Sequence, residues 1–272
     1  MSTSYECIEV DVGTDVATIT FNRPEKKNCM SPTLHRNMCD ALIEIEKARV
    51  KAVVITGAGD AFCGGMDLEQ FFLEPFDDYE RLQRGWQDSF TWLKHIKQFP
   101  AVTIAMVNGW CFGGGYGPLF ACDLAICADE AQFGLSEINW GILPGGGATK
   151  VVCDLMPMRK AMYHALLGEN LGGKEAEAAG LVNESVPAAQ LRARVEEVAG
   201  KLLKKNWETL KATKDAVRRA REMTYDNAED YLIRAQEALN WHDKSDGRHV
   251  GMKQFLDDKS YKPGLGAYRR EK

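Results

Sequence analysis

Two largely apolar, β-branched runs, each leading straight into a glycine-rich loop, constrain this chain more than any other feature. VKAVVIT (50–56) enters GAGDAFCGG, and VTIAMV (102–107) enters NGWCFGGGYG. A β-branched run without polar alternation suits a strand covered on both faces, and such strands belong to parallel sheets packed by helices. An amphipathic helix is predicted over 79–97, between the two runs. Upstream, residues 7–11 and 16–21 are β-branched segments separated by a Gly-Thr-Asp turn, which predicts a hairpin. Ser31-Pro32 then reads as a helix start, with Ser as N-cap and Pro at the first helical position. Leu34, Met38, Leu42 and Ile45 recur every three to four residues and give that helix one apolar face. The strand and helix alternation predicts an α/β core. Beyond about residue 150 the pattern is almost all helix, at 189–205, 207–222 and 226–244, with only LVNESV (181–186) strand-like. A basic and aromatic tail follows. Neither a linker nor a repeat interrupts the chain. The expected organisation is a core over 1–200 with a helical C-terminal region, 201–272, packed on it.

The bulk properties exclude several function classes. The 272 residues suffice for one large core, and a net charge of −5 speaks against nucleic-acid or membrane-surface binding. No apolar stretch approaches the roughly 18–20 residues of a spanning helix. The N-terminal MSTSYECIEVDVG lacks the basic and apolar regions of a secretory signal. None of the eight cysteines forms a C-x-x-C pair, and several lie in apolar runs such as ACDLAICA. Reduced thiols in a cytoplasmic protein are the expectation. The five histidines show no metal-ligand spacing, so no metal site is predicted.

Three segments carry candidate chemistry. The first is FCGGMDL (62–68), in a loop that leaves the strand at Thr56 and carries four glycines within nine residues, at 57, 59, 64 and 65. Such a loop can aim backbone N–H groups at a ligand; the alternative is a tight strand-to-helix turn. In NGWCFGGGYG (108–117), three consecutive glycines follow a buried strand. The run fits neither a dinucleotide fingerprint nor a phosphate loop, and reads as a backbone-lined site or as a packing turn. In FGLSEINWGILPGGG (133–147), Glu137 is surrounded by Phe133, Leu135, Ile138 and Trp140. Desolvation there would raise its pKa and suit it to proton transfer near neutrality. A helix-start carboxylate or an inter-subunit salt bridge is the alternative.

In order and spacing, NRPEKKNCMS, FCGGMDL, FGGG, ACDLAICADEAQFGLSEINWGILPGGG and AAGLVNESV resemble the crotonase (enoyl-CoA hydratase/isomerase) superfamily over nearly the whole chain. MVNGWCFGGG, FGLSEINWG and GMKQFLDDKSYKPGL are most similar to its hydroxycinnamoyl-CoA hydratase-lyases. Those hydrate feruloyl- or coumaroyl-type thioesters and cleave the product to an aromatic aldehyde and acetyl-CoA. The resemblance implies a spiral of ββα turns with C-terminal helices that pack on a neighbour, in a homotrimer or a hexamer of paired trimers. It implies coenzyme A thioester as substrate, with no permanently bound cofactor. It places the oxyanion-hole N–H groups at Met66 and Gly114 and the catalytic glutamate at Glu137. Coenzyme A contacts fall on Lys27, Asn28, Cys63, Gly65, Asp67, Leu68 and Lys259. The acyl pocket falls on Phe71, Tyr116, Gly117, Trp140, Ile142 and Ile233.

The departures bear on the reaction. Hydratases of the family carry a second glutamate two residues after the triple glycine, where this chain has Gly117. The hydratase-lyases also lack that glutamate and place a serine there. Their two phenol-binding tyrosines match Phe71 and Ile233, leaving Tyr79, Tyr116, Tyr225 or Tyr231 as substitutes. A hydratase or isomerase acting on an aliphatic or non-phenolic acyl-CoA is therefore the alternative.

Overall fold

The structure, a computed structural model, describes residues 2–73 and 78–260. Strands and helices are numbered here in chain order. β1 (Ser2–Ser4), β2 (Ile8–Val12) and β3 (Val16–Phe21) form an antiparallel meander that includes the predicted hairpin. β4 (Ala52–Gly57), β6 (Val102–Val107), β8 (Leu124–Ala128) and β11 (Glu184–Val186) extend it in parallel, in the order β1-β2-β3-β4-β6-β8-β11. The burial follows the sequence pattern. β3 buries every second residue, Ala17, Ile19 and Phe21, whereas all six residues of β6 are buried.

A second, smaller sheet holds β5 (Ala61–Cys63), β7 (Trp110–Phe112) and β9 (Gln132–Gly134) in parallel. β10 (Leu171–Gly172) is antiparallel to β9. The chain visits the sheets alternately: a large-sheet strand, a small-sheet strand, then helix. β4 and β5 lead to α2 (Tyr79–Gln98); β6 and β7 to α3 (Tyr116–Ala121); β8 and β9 to α4 (Ala148–Leu155) and α5 (Met158–Leu167). Three successive ββα turns of this kind make the expected spiral.

α1 (Pro32–Lys47) starts as its sequence dictates. The Ser31 Oγ accepts from Leu34 N–H at 3.1 Å, and Leu34, Met38, Leu42 and Ile45 face the core. α1 packs along α2, where Trp92 Nε1 donates to His35 Nδ1 at 2.8 Å. Burial drives the His35 pKa down to about 3, so the ring stays neutral and keeps that acceptor lone pair.

In the C-terminal region, α6 (Gly173–Ala179) precedes β11. α7 (Ala188–Leu203) buries Leu191, Val195 and Ala199 against the large sheet. α8 (Trp207–Ala220) is held by polar bonds rather than a buried apolar face. Lys214 Nζ donates to the carbonyls of Phe99 and Ala101 at 2.8 and 2.9 Å and pairs with Asp123, which Arg218 also binds. α9 (Tyr225–His242) packs on α8.

Two local expectations change. Of LVNESV only Glu184–Val186 is strand. The segment after α9 forms a further helix, α10 (Gly247–Leu256), where a tail was expected. Its own sequence, GRHVGMKQFL, has glycine at two positions and weak helix propensity. The α9–α10 junction supplies what propensity does not: Asp243 accepts from Gly247 N–H at 2.9 Å, and Asn206 Nδ2 donates to Asp243 and Ser245.

Candidate active site

The three catalytic candidates lie where three small-sheet strands end. β5, β7 and β9 run parallel as neighbours, so their C-terminal ends share one edge. β5 leaves into Gly64-Gly65-Met66, β7 into the 3₁₀ turn Gly113–Gly115, and β9 into the 3₁₀ segment Ser136–Trp140. Neighbouring strands are about 4.8 Å apart, so segments distant in sequence are brought within about 10 Å by sheet geometry alone. The edge beyond the carboxyl ends of parallel strands is also where ligands bind in open α/β sheets.

The main chain at Met66 is spare. It forms a parallel bridge with Met30 in which Met30 N–H donates to Gly65 O at 2.7 Å and Asp67 N–H to Met30 O at 3.0 Å. That ladder leaves the Met66 N–H out. Across from it, a Cβ on Gly114 would lie 3.2 Å from Met66 N, so a larger residue would push the two peptides apart by a few tenths of an ångström. Gly113, with φ +48°, puts its backbone against the carboxyl: a Cβ there would lie 2.8 Å from Glu137 Oε1. Two peptides and one carboxylate thus converge. Glu137 is half-buried, its Oε2 has no hydrogen-bond partner among the described residues, and burial raises its pKa above the ordinary glutamate value.

These groups open onto a cavity of about 470 Å³. Of the sequence candidates, Gly65, Met66, Asp67, Leu68, Gly114, Glu137, Trp140 and Ile142 line it. Asp67 is fixed by Arg23 at 3.1 Å, and Arg23 also donates to Cys29 O at 2.6 Å.

The other candidates sit elsewhere in the chain. Lys27 points out of the cavity, paired with Asp60 at 2.5 Å and lying over the Trp110 ring. Asn28 is wholly buried and braces a turn, accepting from Arg23 N–H and donating to the carbonyls of Ala58 and Ala61. Cys63 is buried in β5, its thiol pushed up to about 12 by burial. Phe71 is packed under the site between His35 and Trp86. Tyr116 is fully buried and hydrogen-bonded to His164. Gly117 faces Leu93, whose Cδ1 would be 3.2 Å from an added Cβ. Ile233 is exposed on α9, and Lys259 follows α10 at the end of the described chain. None of these eight lines the cavity.

Sequence reasoning missed Phe72 and Trp86, which line the cavity beside Trp140 and Leu143. Phe72 lies in a π-helical turn, Glu69–Leu73, one position on from Phe71. Trp86 lies on α2 and contacts Phe71, Phe72 and Phe90. An aromatic on an amphipathic helix reads as core, and nothing in the spacing distinguishes one that reaches a cavity.

Comparison with known proteins gives the family. A family model described as enoyl-CoA hydratase/isomerase matches residues 11–262. A hydroxycinnamoyl-CoA hydratase-lyase of Pseudomonas fluorescens is 49% identical over 270 residues, 98% of each chain. A 4-chlorobenzoyl coenzyme A dehalogenase-2 of an Arthrobacter species is 33% identical over 205 residues, 74% of each. The solved structure of an enoyl-CoA hydratase from Bacillus anthracis superposes with a TM-score of 0.83 at 28% identity, covering 93% of this chain and 97% of that one. With its ββα spiral, and with its converging peptides and carboxylate at the edge of the small sheet, the chain belongs to the enoyl-CoA hydratase/isomerase family.

Proposed function

We propose that the protein is a lyase that hydrates a hydroxycinnamoyl-type enoyl-CoA, such as feruloyl- or coumaroyl-CoA, and then cleaves the β-hydroxy thioester to an aromatic aldehyde and acetyl-CoA. The observation that carries this reading is the convergence of the Met66 and Gly114 peptides beside the Glu137 carboxyl. The 49% identity to a hydroxycinnamoyl-CoA hydratase-lyase supports the substrate class.

The chemistry needs one place to hold negative charge and one group to move a proton. The Glu137 carboxylate takes a proton from water as the hydroxide adds to Cβ, and the electron pair of the double bond moves onto the thioester oxygen. The Met66 and Gly114 N–H groups stabilise that enolate; one such donor is worth about 3 kcal/mol in an acyl-transfer enzyme. The protonated Glu137 then returns the proton to Cα. In the second stage the carboxylate takes the β-hydroxyl proton, and the Cα–Cβ bond breaks. The aldehyde departs, and the acetyl-CoA enolate sits in the same pair of N–H groups until Glu137 protonates its Cα. Gly117 stands where hydratases of the family have a second glutamate, so one carboxylate serves both stages. Coenzyme A, bound at the 64–69 loop away from the reacting carbons, supplies positioning.

Identification of products by mass after incubation with a panel of acyl-CoAs tests the reading. Vanillin and acetyl-CoA from feruloyl-CoA are expected. One observation favours a second reading, hydration or isomerisation of a non-phenolic acyl-CoA: the cavity is walled in part by Phe72, Trp86, Trp140 and Leu143, and no tyrosine lines it among the described residues. Under that reading the panel yields a hydrated or isomerised thioester and no free acetyl-CoA.

The helical region from 201 onward is the trimerisation region in this proposal, and trimers, alone or in pairs, the working assembly. Support comes from apolar side chains left exposed on it, among them Tyr225, Ile233 and Trp241. Eight unpaired cysteines support a reducing, cytoplasmic location.

A further inference from the structure

Behind the glycine run lies a buried polar contact that the chemistry above does not use. Tyr116 and His164 are both inaccessible, at 0 and 1% exposure, and Tyr116 Oη lies 2.8 Å from His164 Nε2. Tyr116 caps the Gly113–Gly115 turn: its own N–H is bonded back to the carbonyls of Gly113 and Gly114. His164 sits in the last turn of α5. That helix ends at Gly168, where an added Cβ would meet Ile138 Cγ2 at 2.7 Å and Asn139 Nδ2 at 2.8 Å. Ile138 and Asn139 directly follow Glu137 in its 3₁₀ segment. One hydrogen bond therefore joins the turn that carries Gly114 to the helix that abuts the Glu137 segment.

We infer that Tyr116 and His164 are a positioning pair, whose buried hydrogen bond fixes the direction of the Gly114 N–H relative to the Glu137 carboxyl. The inference rests on reading Gly114 as an oxyanion donor. Burial keeps both partners neutral, raising the tyrosine pKa well above its ordinary value and lowering that of the histidine. The phenol O–H then donates to Nε2. The proton of the neutral ring falls on Nδ1, and the nearby Glu169 backbone partly offsets the effect of burial on the ring. Stability alone does not account for such a pair. An apolar pair of the same shape would leave no group unsatisfied, and such replacements are commonly neutral or stabilising. What a directional bond adds, and an apolar contact lacks, is one fixed geometry. The Gly113–Gly115 turn needs that restraint, because it has no side chains of its own to pack.

The test reads the polarisation of a bound carbonyl as well as turnover. A saturated analogue, 3-(4-hydroxyphenyl)propanoyl-CoA, binds without reacting, and its thioester carbonyl stretch reports the strength of the oxyanion contacts. Wild type should lower that frequency relative to the free thioester. Tyr116→Phe should recover at least part of the free value, and its kcat on feruloyl-CoA should fall about tenfold with KM within about twofold, the pattern of a lost transition-state contact. Tyr116→Phe combined with His164→Leu removes both polar partners. It should regain the wild-type melting temperature while the carbonyl shift and kcat stay impaired. A wild-type carbonyl shift in Tyr116→Phe overturns the inference, as does recovery of the shift together with stability in the double variant. A wild type that polarises the carbonyl but turns over no aryl enoyl-CoA would overturn the proposed reaction and leave the positioning pair standing.

Discussion

The Glu137 carboxyl is half-buried, with Oε2 unpartnered among the described residues, and burial raises its pKa. Both consequences have a sign. The proposed base acts as carboxylate, so kcat/KM should rise with pH through an acid limb displaced upward from an ordinary glutamate, and a pH–rate profile checks this. For stability, a carboxyl whose folded pKa lies above its unfolded one binds more protons when folded. Its ionisation therefore weakens the fold as pH rises between the two values. Glu137→Gln, which cannot ionise, should lower kcat by about 10²–10⁴-fold. The same variant should melt no lower than wild type at neutral pH, and by calorimetry slightly higher. A large loss of melting temperature would mean that Glu137 is a structural ion-pair partner, the alternative its sequence left open.

At the level of elements, the site is a property of the small sheet, and that sheet was the least legible part of the sequence. Strands β4 and β6 announce themselves by six consecutive apolar or β-branched residues, and α1 by its Ser-Pro start. β5, β7 and β9 have three residues each, too short for any periodicity, and appear in the sequence only as parts of glycine loops. The motifs at their exits were legible because glycine at a fixed place is a backbone requirement. The aromatic wall was not: Phe71 and Phe72 are adjacent, and one π-helical turn decides which of them reaches the cavity. The same reasoning makes the turn after β7 intolerant of change. At Gly113, with φ +48°, alanine would cost about 1–2 kcal/mol in backbone strain. Its Cβ would also press to 2.8 Å from Glu137 Oε1. Gly113→Ala should therefore remain folded, melt lower, and lose roughly 10²-fold in kcat through displacement of the carboxylate. A variant with unchanged kcat would show that the carboxylate does not depend on this contact.

Among the described residues, α9 and α10 carry apolar side chains that are left exposed. Along α9 and α10, Tyr225, Leu232, Ile233, Trp241, Met252, Phe255 and Leu256 are exposed, and none of the α8, α9 or α10 residues is counted among the core. Contiguous exposure of large apolar side chains is uncommon on monomers and marks association surfaces. Two sequence candidates that do not line the cavity, Ile233 and Lys259, lie on or beside these helices; in the proposed trimer a neighbouring subunit is the route by which either would reach a site. Ile233→Arg puts a charge on that surface, where Glu229 and Glu237 one turn to either side can pair with it in water; the variant should be tolerated on an exposed face and costly where a neighbour buries it. By light scattering, wild type should have the mass of three or six protomers and Ile233→Arg a smaller one, with a melting temperature that falls on dilution. If the neighbour's α9 completes the acyl pocket, KM for the aryl thioester should rise in the same variant at the dilution where the assembly dissociates. A wild type that is monomeric at micromolar concentration and fully active would remove both the trimer and any shared pocket.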